Sequence, residues 1–357
     1  MRRALRLIAS TAAWMAVAAP LAAQAVQGEL VAATTAQPVA GGLVVLLDSA
    51  GTERGRVLTD PAGRFFIRAG AAGGYRVKAL QIGYRSWLSP AFRLAAGQTL
   101  VYRIEMPAVP IELAAITVEA ASGCRVHPET GQGAAELWEE AQKALSATEL
   151  TIAERRYRFR TATTERTLDP RLRVQTEERR TALGFSDWPF ESLAPESLAR
   201  RGFVQDAPGG PLYYGPDVRV LFSAAFLNTH CFRVEQPPPG NGGEGLIGLA
   251  FEPTAKRRVK DIGGVLWLDR RTAELRYLEF RYTQLEDWIP ADLVGGRIEF
   301  YRLPTGGWIL RRWRLRAPIP VVRPGSRELY GFREREAEVV EVFTADGRPV
   351  TAFGPAP

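Results

Sequence analysis

The sequence predicts a mainly β protein, an N-terminal β-sandwich followed by a C-terminal curved antiparallel sheet with a few helices. Three observations carry that prediction. In the first third, short apolar runs recur about every ten residues with Gly, Asp and Pro between them, as in a small sandwich. Over most of 151–353 apolar and polar residues alternate at period two, as half-buried strands do. Between these regions lies the clearest helical pattern of the chain, Glu136–Leu145.

The chain opens on an address. Arg2, Arg3 and Arg6 precede the uncharged apolar run Leu7–Ala19, Pro20 breaks it, and Ala23-Gln24-Ala25 has the small-x-small form of a cleavage site. Residues 1–25 are therefore expected to be a secretory signal peptide, cut before Val26. The apolar run is short for a bilayer, and no later stretch approaches the roughly 18 apolar residues of a membrane helix. No cysteine stands at the cut, which argues against a lipoprotein. The expectation is export to the periplasm or cell surface, outer-membrane association included, with membrane contact peripheral at most.

The formal charge is +7, and the signal arginines contribute to it. Lysine occurs only at Lys78, Lys143, Lys256 and Lys260. Arginine, scattered among Glu and Asp, supplies the rest of the basicity. A coding sequence rich in G and C produces that composition, and no basic stripe of the kind that binds nucleic acid is present.

Within 26–108, Gly41–Leu47 reads as a buried strand, and Arg64–Arg68 follows the turn Thr59-Asp60-Pro61-Ala62-Gly63. Gly63 is expected in the left-handed region, where a Cβ is costly. Gly74–Leu80 and Thr99–Ile104 are further strands. The succession Gly28-Glu29-Leu30-Val31, Gln37-Pro38-Val39-Ala40-Gly41, Thr59-Asp60 with Gly63-Arg64-Phe65, Gly74-Tyr75 and Ile82-Gly83-Tyr84 resembles the carboxypeptidase regulatory-like domain. That resemblance covers about a quarter of the chain and implies a transthyretin-like sandwich of the carbohydrate-binding-like superfamily. In metallocarboxypeptidases this module accompanies a zinc peptidase, which needs His-x-x-Glu and a distant His. Here the histidines are His127 and His230, and position 130 is Thr130. No peptidase accompanies the module in this chain.

Residues 109–150 form a junction. Ile111–Ala120 looks like the segment that ends such a domain in energy-coupled outer-membrane receptors and touches their coupling protein. The simpler alternative is an extended linker entered through Pro107 and Pro110. A receptor would next need a plug and a barrel of about 22 strands, more than the remaining chain can hold. On the helix that follows, Leu137, Ala141, Ala144 and Leu145 share a face with Trp138 beside them. Glu139, Glu140 and Lys143 fall largely opposite.

Cys124 and Cys231 are the two cysteines. In an oxidising compartment they are expected to form a disulfide. The alternative is a zinc set of Cys124, His127, His230 and Cys231. Adjacent residues such as His230 and Cys231 diverge on a strand or helix, which disfavours a shared ion.

The back region, 151–353, reads as a curved antiparallel sheet. Tyr157, Phe159 and Thr161 share one side against Arg156, Arg158 and Arg160. Gly264–Leu268, a turn at Asp269–Thr272 and Leu275–Tyr282 follow; Arg297–Leu303, the turn Pro304-Thr305-Gly306-Gly307 and Trp308–Arg316 form a second hairpin, and Ala337–Phe343 closes the set. Pro195 is placed to begin a short helix ending at Gly202. Leu221–Leu227 fits either helix or strand, and Gln236–Gly245 is a loop. The phrase Asp261–Asp269 with Thr272 and Leu275 resembles strands of the half-barrel of periplasmic lipoprotein carriers, which implies an apolar hollow for acyl chains.

In Leu275–Tyr282 the alternation puts Leu275 and Tyr277 on one face and Leu278, Phe280 and Tyr282 on the other. Either a helix covers the second apolar face or that face lines a pocket. The candidate ligand-binding residues are Tyr277, Phe280, Tyr282, Trp288 and Trp313. The same alternation groups Ile309 with Trp313 and Leu315, and Trp308 with Leu310. Arg312, Arg314 and Arg316 alternate on one strand and Glu334, Glu336 and Glu338 on another. Paired, they make a cross-strand ion ladder; the alternative for the arginines is a surface for an anionic ligand.

The sequence lacks Gly-x-Ser-x-Gly, the phosphate-loop pattern and His-Glu-x-x-His. Paired carboxylates suffice for a glycosidase, and Glu279, Glu286 and Asp287 near Trp288 are where one would sit. The expectation is a non-catalytic envelope protein without cofactor or metal, binding glycan, lipid or a protein partner. The alternatives are an envelope glycan hydrolase and an accessory of an outer-membrane receptor.

Overall fold

The computed structural model describes residues 24–107, 111, 113, 116, 125–126, 133–185, 192–208, 210–240, 243–323 and 326–354. Almost all of the signal segment, Cys124 and His127 lie outside the described residues. The front strands are β1 (Ala25–Ala32), β2 (Leu43–Asp48), β3 (Glu53–Leu58), β4 (Arg64–Arg68), β5 (Gly73–Leu80), β6 (Trp87–Leu88), β7 (Phe92–Leu94) and β8 (Thr99–Met106). They form two sheets, one in the order β4-β1-β8 and one in the order β3-β2-β5-β6 with β7 also on β5. Val26, Leu30, Val44, Leu46, Phe65, Val77 and Ile104 fill the space between them. The Asp60 turn is as expected: Asp60 accepts the Ala62 and Arg64 amides, and Gly63 has φ 74°. A Cβ on Gly63 would meet the Leu30 carbonyl oxygen at 2.5 Å.

Next come β9 (Arg125–Val126), α1 (Ala134–Ala153), β10 (Tyr157–Leu168), β11 (Val174–Gly184), α2 (Pro195–Arg201), β12 (Val204–Gln205) and β13 (Leu212–Tyr213). After these, α3 (Val218–Phe222) and α4 (Ala224–Leu227) lead into β14 (His230–Glu235), β15 (Leu246–Pro253), β16 (Ile262–Asp269) and β17 (Leu275–Tyr282). The chain finishes with β18 (Gly295–Arg302), β19 (Trp308–Arg323), β20 (Ser326–Thr344) and β21 (Pro349–Ala352). Among the described residues eleven of these strands make one antiparallel sheet, ordered β11-β10-β20-β19-β18-β17-β16-β15-β14-β9, with β21 also on β20. The molecule is mainly β.

Helix α1 is twice as long as its apolar pattern predicts, and it is buried on nearly every side. Leu137, Ala141, Ala144 and Leu145 are fully buried, but so are Glu140 and, at 3% exposure, Lys143. Those two charges were expected to face solvent. They do not, because the front sandwich packs on that side: Leu43, Val45 and Leu58 share one core with the helix and the large sheet. The second turn of buried length, past Leu145, carries Ser and Thr. Thr148 and Thr151 donate their hydroxyls to carbonyls four residues back, which lets polar residues sit in a dry helix.

The short helices pack with α1 against the inner face of the large sheet. Pro195 opens α2, and Gly202 ends it with φ 81°. The undecided Leu221–Leu227 segment is two helices, because Asp217 and Ser223 each cap a turn by accepting the amide three residues on. Leu198, Val218, Leu221 and Phe226 insert into the core with Leu266, Leu278 and Phe280.

Two β-bulges correct the facing read from alternation. Trp267 pairs with Tyr277 but Leu268 pairs with Leu275, so Arg276 is the extra residue. Leu275 thereby joins Leu278, Phe280 and Tyr282 in the core instead of sharing a face with Tyr277. Likewise Glu299 pairs with Arg312 and Phe300 with Leu310, leaving Arg311 extra. Trp308 and Leu310 therefore join Trp313 and Leu315, while Ile309 belongs to a separate cluster with Tyr157, Phe159 and Val342. One inserted residue reverses the face of everything beyond it.

Candidate functional site

The five residues proposed for ligand binding are divided by the sheet. Phe280, Tyr282 and Trp313 point into the filled core. Tyr282 donates its hydroxyl to the Tyr214 carbonyl at 3.0 Å and meets the Tyr213 ring edge-on, with 5.1 Å between centroids. Trp288 is half-buried against the same core. Tyr277 lies on the opposite, outer face, with the Arg297 guanidinium 3.6 Å above its ring centre. Burial pushes the Tyr277 phenol upward, and Arg297 partly opposes this. The apolar hollow implied by the carrier resemblance is occupied by α1, α2, α3 and α4, so these aromatics do not line one pocket.

The three carboxylates considered for hydrolysis are separated in role. Glu279 accepts the Trp267 indole N–H at 2.9 Å. Glu286 is paired to Lys260 at 2.6 Å, and Asp287 is exposed. Partial desolvation raises the Glu286 pKa, but the Lys260 hydrogen bond and charge outweigh it and hold the carboxyl below its ordinary range. A carboxyl held ionised is a poor proton donor to a leaving group.

His230 and Cys231 begin β14 and diverge as neighbours on a strand must. The His230 ring is buried, its Nδ1 at 3.1 Å from the Phe226 carbonyl and its Nε2 at 3.1 Å from that of Ile262. Asp261 lies 3.3 Å from Nε2 and also pairs with Arg257. Cys231 is buried opposite Val126 of β9, and no cysteine of the described residues is free. Among the described residues no three or more His, Cys, Asp or Glu gather as metal ligands do.

The outer face of the large sheet holds a groove of about 990 Å³, running from β14 to β19. Its composition follows from register. Gly263, Arg281, Gly295 and Arg316 stand opposite one another on β16, β17, β18 and β19. In the next row stand Val265, Glu279, Arg297 and Arg314. Both rows continue onto β20, where Glu334 faces Arg316 and Glu336 faces Arg314. The expected ion ladder therefore exists, offset by one step in places: Arg316 pairs with Glu334 at 2.6 Å and Arg312 with Glu336 at 2.7 Å. Arg166 of β10 reaches both glutamates and Glu177 besides.

At the groove the ladder is incomplete. Its lining includes seven arginines and four carboxylates. Arg233, Arg257, Arg297 and Arg316 are ion-paired. Arg258, Arg281 and Arg314 are exposed and have no carboxylate partner among the described residues, and Arg258 donates instead to the Ala255 carbonyl of its own loop. Gly295 separates Arg281 from Arg316, and a Cβ there would come within 2.1 Å of the Phe280 carbonyl oxygen. On the inner side, Gly264 and Gly296 leave room for the rings of Phe251 and Phe280. Alternation alone pointed to Arg314 and Arg316. Arg281 and Gly295 escaped notice, although the glycine pairs 263–264 and 295–296 inside strands are the sequence signal of a close approach.

The front sandwich meets the rest through polar contacts as well as apolar ones. Glu140 accepts the Gly83 amide at 2.7 Å, and Lys143 donates to the Tyr84 carbonyl at 2.9 Å while paired with Glu140 at 2.5 Å. Glu154 accepts the Leu58 amide and Arg156 donates to the Leu58 carbonyl. Burial pushes the Glu140 and Glu154 carboxyls upward, against the pull of Lys143 and Arg156. Gly41 and Gly306 meet backbone to backbone; a Cβ on Gly41 would sit 2.0 Å from the Gly306 oxygen.

No curated protein matches the chain. Among solved structures, the chain is similar to the Klebsiella pneumoniae 5-hydroxyisourate hydrolase at 17% identity, covering 24% of this chain and 87% of that one, with a TM-score of 0.19. It is similar to GBS52, the minor pilin of Streptococcus agalactiae, at 21% identity over 28% of this chain and 47% of the pilin, TM-score 0.20. The Bacillus anthracis TIE protein is similar at 11% identity over 45% and 26% respectively, TM-score 0.22. Likenesses this low carry no functional argument. Residues 25–107 match the model of the carboxypeptidase regulatory-like domain. The front sandwich of this chain is a carboxypeptidase regulatory-like domain.

Proposed function

We propose that the protein is an exported, non-catalytic binding or scaffold protein of a bacterial cell envelope, and that the outer groove of its large sheet is the ligand surface. One observation supports this above the others: the inner face is covered by helices, while the outer face is open, charged and carries the cross-strand ion ladder. A lipid carrier would need the reverse. The fixed seat of the front domain on α1 suits a scaffold, since a partner held by one unit keeps its place relative to the other. Glycan, lipid and protein remain the ligand classes, and an envelope glycan hydrolase is the competing reading.

The test is co-sedimentation of the purified full-length protein with isolated envelope fractions. Saturable retention without release of soluble sugar is the expected result. Sugar release that scales with time and enzyme would install the hydrolase instead. Export itself predicts a mature N-terminus at Val26, read by terminal sequencing of secreted protein. Export also predicts a Cys124–Cys231 disulfide, and non-reducing peptide mapping that finds both thiols free would remove it.

A further inference from the structure

We propose that the groove between Arg281, Arg314 and Arg316 binds an acidic saccharide chain through its carboxylate or phosphate groups. The inference deepens the binding reading above and rests on it. Three features select the ligand chemistry. First, Arg281 and Arg314 are exposed guanidinium groups without a carboxylate partner among the described residues, whereas Arg297 and Arg316, which stand beside them in the same two rows at the groove, are paired. Arg281 and Arg316 stand two strands apart, about 10 Å between their backbones, with only glycine between. Arg316 already gives its Nε and Nη2 to Glu334, so the open planar forks beside this bare trough are those of Arg281 and, one row on, Arg314; each suits an oxyanion, which arginine engages through two parallel hydrogen bonds.

Second, the groove crosses from β14 to β19, about 24 Å at one strand spacing per step, so it is sized for a chain and not for a lone ion. Third, its floor offers little to a peptide. Strands β15 to β19 are flanked on both sides in the sheet, so their backbone groups are already paired, and Trp267 and Phe280 are each only 2% exposed. Strand addition and apolar anchoring are both absent there. Glu279 and Asp292 also line the groove. Carboxylates among the arginines repel a uniform polyanion but accept hydrogen bonds from hydroxyl groups. A ligand bearing both spaced anions and hydroxyls satisfies the whole lining, and an acidic sugar chain is that ligand.

The experiment uses the full-length protein and titrates it with oligogalacturonate, with a neutral maltooligosaccharide, with polyglutamate and with phosphatidylglycerol vesicles. Saturable binding of oligogalacturonate is expected, weakening as salt rises, with the neutral oligomer not bound. Arg281→Ala and Arg314→Ala should each weaken it roughly tenfold, as loss of one charge-assisted hydrogen-bonding group does. Arg173→Ala, whose partner Asp169 lies in an exposed turn, should leave it unchanged. Phosphorylated and carboxylated saccharides of equal length then distinguish the two anion sources. Equal or tighter binding of polyglutamate or vesicles would overturn the saccharide assignment. Undiminished oligogalacturonate binding by the Arg281→Ala/Arg314→Ala double variant would overturn the site. If that double variant still sediments with envelope fractions as wild type does, only this inference fails; if wild type sediments with none, the binding reading itself fails.

Discussion

Glu140 shows how far one residue's role depends on what lies across from it. It is fully buried, pairs with Lys143 and accepts the Gly83 amide. Glu140→Ala leaves Lys143 without its buried counter-charge, and the expected loss is about 3–5 kcal/mol in denaturant unfolding. A pH dependence follows from the upward shifts of Glu140 and Glu154. Both carboxyls hold a proton more tightly folded than unfolded. From the ordinary value of 4.5 up to their raised folded values, the native state carries more proton, and stability falls as pH rises. Glu140→Gln with Glu154→Gln should flatten that part of the stability–pH curve. A variant curve parallel to wild type from pH 4.5 upward would show that these two groups do not carry it.

At the scale of the element, bulges and not propensities decide which side chains meet. Trp313 is 4% exposed in the main core and Ile309 is buried in a different cluster on the other face. Trp313→Ala is expected to cost about 3–5 kcal/mol and Ile309→Ala about 2–5 kcal/mol. Because the two share no core, the double variant should lose their sum to within about 0.5 kcal/mol. Strong coupling would mean that the strand runs without its bulge at Arg311. Helix α1 follows the same logic from the other side. Its apolar stripe accounts for one face, and its charged face is buried only because a second sheet rests on it.

For the whole molecule, the front sandwich has its own core but also lends Leu43, Val45 and Leu58 to the larger one. A fragment of residues 25–107 would expose those three side chains to water. It is expected to melt below the intact protein and to bind a hydrophobic dye, and replacing the three with Thr should abolish the dye signal. A fragment that is dye-silent and as stable as the intact protein would show the interface to be dispensable. Gly41→Ala or Gly306→Ala should lower the melting temperature of the full chain by opposing the backbone contact between the units. Neither changes either unit's own core.

Local pattern reached a good part of this architecture. The Asp60–Gly63 turn, the helix from Pro195 to Gly202, the hairpins of 264–282 and 297–316 and the Arg–Glu ladder are all set by neighbours in sequence or by simple period-two pairing. The carboxypeptidase regulatory-like domain was legible for the same reason, its glycines and turn residues being local necessities. What sequence could not supply was the phase beyond a bulge, as at Arg276 and Arg311, since the extra residue depends on how the partner strand twists. Nor could it supply the burial of Glu140 and Lys143, which requires the front sheet on the far side of α1. The groove is the clearest instance. Arg281, Gly295 and Arg316 are scattered along the chain, and only the register of three paired strands sets a bare glycine between two arginines.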